Sequence, residues 1–210
     1  GVEALQYAAD NGARVSSNSW GGGYSQMVND AIKYEHDRGV VIVAAAGNDN
    51  YDAAFFSPAS SDYAITVGAT NHNDAKASFS NYGEKLDVMA PGGDSPSFGG
   101  IDSDILSAKA AINTICDSTI TVGEKYCRIH GTSMATPHVS GLAALILAKN
   151  PGLTNEDVRQ IIRGGARDLG LQGKDVSFGF GLINAKNSVT LAAAKPLSPI
   201  ITAPSTGQMI

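Results

Sequence analysis

Ser133 sits in the stretch "HGTSMATPHVSG", residues 130–141, between a small-residue turn, Gly131 and Thr132, and a long apolar run. A serine in that setting projects its hydroxyl at a helix N-terminus, where N–H groups without intrahelical partners and the helix dipole favour negative charge. Such a place suits a nucleophile whose target carbonyl turns into an oxyanion. An ordinary N-cap serine occupies the same place, and from these residues alone both readings stand. Asn48 is the second candidate, closing the apolar stretch "VVIVAAAGN". At the carboxyl end of a buried strand its amide can donate to a developing oxyanion, although an asparagine in a Gly-Asn turn is the plainer alternative. A serine nucleophile also requires a base. The four histidines offer little: His36 falls within a surface helix, His72 in a polar turn, His130 three residues before Ser133, and His138 one turn beyond it on the same helix.

The elements that must position these residues read as α/β. "VEALQYAAD" recurs at helical spacing, "ARVSSNSW" reads as a strand, and "SQMVNDAIKYEHD" as a helix ended by Gly39. "VVIVAAAGN" is a continuous apolar run, the mark of a strand buried on both faces of a parallel sheet. "YAITVGAT", "KLDVMAPG" and "SDILSA" predict further short strands, and strands alternating with helices argue for a mostly parallel sheet. Residues 92–128 loosen into Gly, Ser and Asp with short β-like pieces and read as an elaborated surface loop held by the cysteine pair. A long helix begins near Ser133, with Pro137 tolerable in its first turn, and Thr154 followed by Asp157 opens another. The Pro-, Ser- and Thr-rich residues 194–210 read as a tail or linker.

Composition narrows the class. A hydrophobic fraction of 43% with 17% charged residues supports one compact domain over residues 1–193. The net charge of −5, without a run of Lys and Arg, speaks against nucleic acid or an anionic membrane as partner. The longest apolar runs stop short of the roughly 20 residues that cross a bilayer. Cys116 and Cys127, the only cysteines, read as a loop-bridging disulfide in an oxidising, secreted or extracytoplasmic setting, with two free thiols as the alternative.

Taken in order, "SSNSWGG", "VVIVAAAGN", "ASFSNYG", "GTSMATPHVSGLAAL" and "FGFGLINA" resemble the subtilase family of serine endopeptidases, and "SPAS" to "SNYG" resembles its proteinase K branch. The resemblance covers residues 1–193 and implies a three-layer, subtilisin-like α/β fold whose N-terminal strands are absent from this chain. It makes Ser133 the nucleophile, Asn48 and the backbone N–H of Ser133 the oxyanion donors, and Thr132 and Met134 the flanks of the nucleophile, with Thr132 also among the residues that contact substrate. Ser19, Trp20 and Gly21 match the strand that pairs with substrate on one side, and Ala45, Ala46 and Gly47 match the opposite wall. Phe55 and Phe56 fall where the pocket beside the scissile bond closes, Phe56 narrowing it. A structural calcium ion is implied at the main-chain oxygens of Asp62 and Ala64 and the carboxylate of Asp87.

The family draws its acid from a D-[ST]-G motif and its base from an H-G-T-H-type motif, and neither occurs here; "DNG" at Asp10 has Asn in the second place. The expectation is therefore a polypeptide substrate and a missing N-terminal segment that carries Asp and His. The α/β-hydrolase plan is excluded, because Ala135 stands where G-x-S-x-G needs Gly and no acid–histidine order follows the serine. A non-catalytic peptide-binding or scaffold fragment is the rival reading.

Overall fold

A computed structural model describes residues 1–94, 101–110, 116 and 119–194. The chain runs α1 (Val2–Asp10), β1 (Val15–Asn18), β2 (Gly22–Gly23), α2 (Gln26–Asp37), β3 (Val41–Ala45), β4 (Phe56–Ser57), β5 (Ile65–Thr70) and β6 (Val88–Pro91). It continues through β7 (Ile105–Ala108), β8 (Thr121–Val122), β9 (Tyr126–Ile129), α3 (Thr132–Lys149), α4 (Asn155–Gly165) and α5 (Ala185–Ala194). Strands β1, β3, β5 and β6 form one sheet in that order, every pair parallel.

The alternation along β3 separates the layers. Val41 and Val43 join Val139, Leu142 and Ile146 of α3 and Ile161 and Ile162 of α4 in one apolar cluster. Ile42 and Ala44 instead join Leu5 and Ala9 of α1 and Ala31 and Ile32 of α2. Because successive strand residues face opposite ways, a five-residue strand buried throughout serves both helical layers at once. This is the three-layer α/β architecture that the sequence predicts. The Thr154–Asp157 capping box is present at the start of α4.

Two expectations need correction. "SDILSA" does form a strand, β7, but it pairs antiparallel with β9 in a separate sheet of order β7-β9-β8 and adds nothing to the parallel one. The segment read as loop is therefore partly a small sheet, and Cys116 and Cys127 are joined in a disulfide beside it. The tail expected over residues 194–210 lies, apart from Ala194 at the end of α5, outside the described residues.

One buried group fits poorly. Glu35 on α2 is wholly buried, and neither carboxylate oxygen makes a hydrogen bond of normal geometry. Burial pushes its pKa up to about 7, with Ser16 giving slight relief. A folded-state value above that of the unfolded chain means the carboxyl is tolerated while protonated, below about pH 4.5, and destabilises progressively as pH rises through about 7. Glu35→Gln is therefore expected to stabilise the fold by about 1–3 kcal/mol near pH 8. Near pH 4 the two proteins are expected to unfold alike; thermal unfolding at both pH values checks this.

Candidate active site

The nucleophile candidate is held by the turn before it. Gly131 has φ +145°, a conformation that favours glycine, and its Cα hydrogen faces the Asn48 amide: a Cβ there would lie 3.5 Å from Asn48 Nδ2. Thr132 then starts α3, which makes Ser133 its second residue, among the first-turn N–H groups that have no intrahelical acceptor. The Ser133 hydroxyl donates to the carbonyl of Ser19 at 3.1 Å.

Pro137 is the sixth residue of α3, past the first turn where it was expected, so its position needs another explanation. Lacking an N–H, it leaves the carbonyl of Ser133 without its i+4 donor. The hydroxyl of Ser19 fills that role, donating to Ser133 O at 2.8 Å. Ser19 and Ser133 thus exchange hydrogen bonds between the exit of β1 and the start of α3.

Asn48 is fixed from the same helix turn. Its Oδ1 accepts from both the backbone N–H and the hydroxyl of Thr132, each at 2.8 Å, and Gly47 N–H donates to that hydroxyl oxygen at 3.2 Å. With the oxygen occupied by two donors, the amide orientation is settled and Nδ2 is left as donor. The loop around it is braced by Asn81, fully buried, which donates to Ala46 O at 2.9 Å and accepts from Asp49 N and Tyr51 N. Gly47, at φ +106°, leaves the room Asn81 needs: a Cβ there would lie 2.3 Å from its Nδ2.

A cleft of about 440 Å³ opens between these strand ends, lined by Ser19, Trp20, Gly21, Ala45, Ala46, Gly47, Asn48, Phe56 and Ser133. Sequence reading missed Gly22, Asp49 and Ser57, which line it too. Asn81 was also missed as a brace, although its "SNYG" context was the available signal. Thr132 does not line the cleft. It is fully buried, and its part is to orient Asn48. Phe55, exposed and packed on Tyr51, lies outside the cleft, whereas Phe56 forms part of its wall.

All four histidines are described, and none is bonded to Ser133. His36 contacts Glu156 at 3.2 Å and packs on Tyr63, and His138 Nδ1 meets the carbonyl of Met134 at 2.8 Å. His72 is exposed. His130 Nδ1 is 3.1 Å from the buried carboxylate of Asp104, and its ring lies against Phe79. Asp10 pairs with Arg38 and accepts from the Tyr34 hydroxyl, away from the cleft.

The three residues named for calcium do not fit a cation. Asp87 is almost fully buried, and its carboxylate is taken by Arg159 at 3.0 Å, by Arg163, and by the N–H of Thr66 at 2.9 Å. The carbonyl of Asp62 also accepts from Arg159, so one guanidinium already bridges the two donors a metal would need, while Ala64 is buried. Among the described residues no cluster of three or more metal-ligating side chains occurs.

The parallel sheet thus carries a helix-borne serine and an oriented amide at its strand ends. Residues 1–181 match the subtilase family, and the chain belongs to it. It is 40% identical over 190 residues to a thermophilic serine proteinase of Bacillus sp. (strain AK1), covering 90% of this chain and 41% of that protein. It is 42% identical to an extracellular serine proteinase of Thermus sp. (strain Rt41A), covering 75% of this chain and 34% of the relative. Among solved structures it is similar to a protease from Pseudoalteromonas arctica PAMC 21717, with TM-score 0.78, 30% identity, and coverage of 91% and 57%. The chain thus spans roughly a third to three fifths of these three proteins.

The guanidinium bridge carries its own expectation. Arg159→Ala leaves the buried Asp87 carboxylate with Arg163 and the Thr66 N–H but without one of its two guanidinium partners, and is expected to destabilise by about 1–3 kcal/mol. Thermal denaturation of the two proteins checks it.

Proposed function

We propose that this chain supplies the nucleophile, oxyanion hole and substrate cleft of a subtilisin-like serine endopeptidase, and that the histidine base and its aspartate come from subtilase polypeptide outside residues 1–210. The observation that carries the reading is the pairing of Ser133 at a helix start with an Asn48 amide whose oxygen is tied down by Thr132. A histidine delivered to the cleft takes the Ser133 proton as Oγ attacks the scissile carbonyl. Asn48 Nδ2 and the Ser133 N–H stabilise the oxyanion, the leaving amine takes the proton, and water resolves the acyl-enzyme. The substrate backbone lies between residues 19–21 and 45–47 by strand addition.

Two surfaces support delivery from another segment. On helix α3, Pro137, Gly141, Ala144, Leu145 and Ala148 form an exposed, mostly apolar stripe at helical spacing, with Leu145 56% exposed. Among the described residues, strand β1 is an edge of the sheet, paired only with β3. An added strand and helix would cover both beside Ser133. The disulfide and the extracellular Thermus relative support an extracytoplasmic setting. The rival reading, a peptide-binding piece without catalysis, draws on one fact: no histidine of this chain reaches Ser133.

Labelling separates them. Residues 1–210 alone are expected to react slowly with a fluorophosphonate, the residual acceleration without a complete triad being roughly 10³–10⁴ over water. Association with a subtilase N-terminal segment carrying Asp and His is expected to restore labelling and proteolysis, with Ser133→Ala abolishing both. Asn48→Ala in that complex is expected to lower turnover about 10²–10³-fold. Fast, stoichiometric labelling of the isolated chain would place the base among His36, His72, His130 and His138, and no rescue by the added segment would favour the binding piece.

A further inference from the structure

Glu35 shares the buried face of α2 with Ala31 and Ile32, which pack with Leu5 and Ala9 of α1 and with Ile42 and Ala44 of β3. No counter-charge from these elements faces its carboxyl. Asp10 is held by Arg38 and the Tyr34 hydroxyl, Lys33 by Asp37 and His36 by Glu156, while Glu3 and Asp30 are exposed. Strand β1 alone supplies a polar side chain, the Ser16 hydroxyl, and that contact is the one relief the carboxyl has against burial. Alternation along the chain joins Ser16 to the cleft. Val15 packs on the α3 side of the sheet and Ser17 is bonded to Ser140 of α3, so Ser16 and Asn18 face the other way, toward α2. Asn18, buried, donates from Nδ2 to Ser16 Oγ at 3.0 Å and accepts at Oδ1 from the Trp20 indole N–H at 3.1 Å. Trp20 lines the cleft, so the line of side chains runs from a sealed carboxyl to the substrate wall.

We infer that Glu35 is a positioning residue for the cleft, holding the Trp20 indole in place through Ser16 and Asn18. The inference rests on the endopeptidase reading and adds what controls one wall of that site. The ionised carboxyl takes the Ser16 O–H, which makes Ser16 Oγ a better acceptor for Asn18 and tightens the line to the indole. Protonated, the carboxyl donates to Ser16 Oγ instead, competes with Asn18 for the same oxygen, and loosens it. Burial sets the exchange between the two states close to neutrality, at a pKa of about 7. The wall is therefore firm on the alkaline side and slack on the acid side. A wall fixed before a peptide arrives costs less to order, so peptide binds tighter where Glu35 is ionised.

The test needs no catalysis. Trp20 is the only tryptophan, so its indole N–H gives a single resonance in a proton–nitrogen correlation spectrum. As pH rises from mildly acid to mildly alkaline, that signal is expected to move downfield in wild type with a midpoint near 7. It is expected to stay still in Glu35→Gln, a variant that keeps the fold because a buried amide costs less than a buried carboxylate. In Ser16→Ala the carboxyl still titrates, which pH-dependent thermal unfolding records, but the indole is expected no longer to follow it. Affinity for acetyl-Ala-Ala-Pro-norleucine amide, read from Trp20 fluorescence, is expected to rise about two- to threefold across the same range in wild type alone. An indole signal that is flat in wild type, or that keeps the same midpoint in Glu35→Gln or Ser16→Ala, overturns the inference. Equal peptide affinity at both ends of the range overturns it too and leaves the cleft reading intact, whereas no binding at any pH overturns both.

Discussion

Pro137 cannot donate to the carbonyl of Ser133, and the hydroxyl of Ser19 does so instead while its own carbonyl receives the Ser133 hydroxyl. That exchange pins the first turn of α3 to the end of β1. One residue earlier, Thr132 pins the same turn to the end of β3 through Asn48 and Gly47. Two strand ends that the sheet keeps apart by one strand spacing are thereby tied to one helix N-terminus. The cleft is the space between them, and its walls are the segments the clamp holds. A proline inside a helix costs an internal hydrogen bond, but here the loss frees the acceptor that cross-links helix to strand.

On the endopeptidase reading proposed above, the clamp supplies the electrostatic half of an acyl-transfer site and leaves the proton half open. Oxyanion donors act by being in place before charge develops, and the Asn48 amide is held by Thr132 within this chain. The Ser133 hydroxyl donates to a neutral backbone carbonyl, an acceptor far too weakly basic to remove its proton. The exposed apolar stripe of α3 and the unpaired edge of β1 lie on the elements that carry Ser133 and Ser19, so whatever covers them also approaches the nucleophile.

Most of the frame was legible in the sequence because burial on both faces leaves a plain mark. "VVIVAAAGN" reads as a central strand for the same reason that β3 serves two cores, and the capping box at Thr154 announces α4. Ser133 and Asn48 were readable through their turns and their family context. Thr132 was misread as a cleft residue, since nothing in "GTSMA" distinguishes a side chain facing substrate from one facing the amide it orients. The strand signal of "SDILSA" was legible, but its antiparallel pairing in the β7-β9-β8 sheet escaped because nothing local in so short a stretch names its partner or its direction.

The three acidic residues Asp87, Glu35 and Asp49 show how placement decides what a charge does. Asp87 is buried, and two guanidinium groups with a backbone N–H compensate it, so it ties α4 to β5 and β6 and is unavailable to a metal. Glu35 is equally buried with no such partners, and its desolvation is a cost to the fold. Asp49 is exposed and unpartnered, which costs the fold almost nothing because water solvates it.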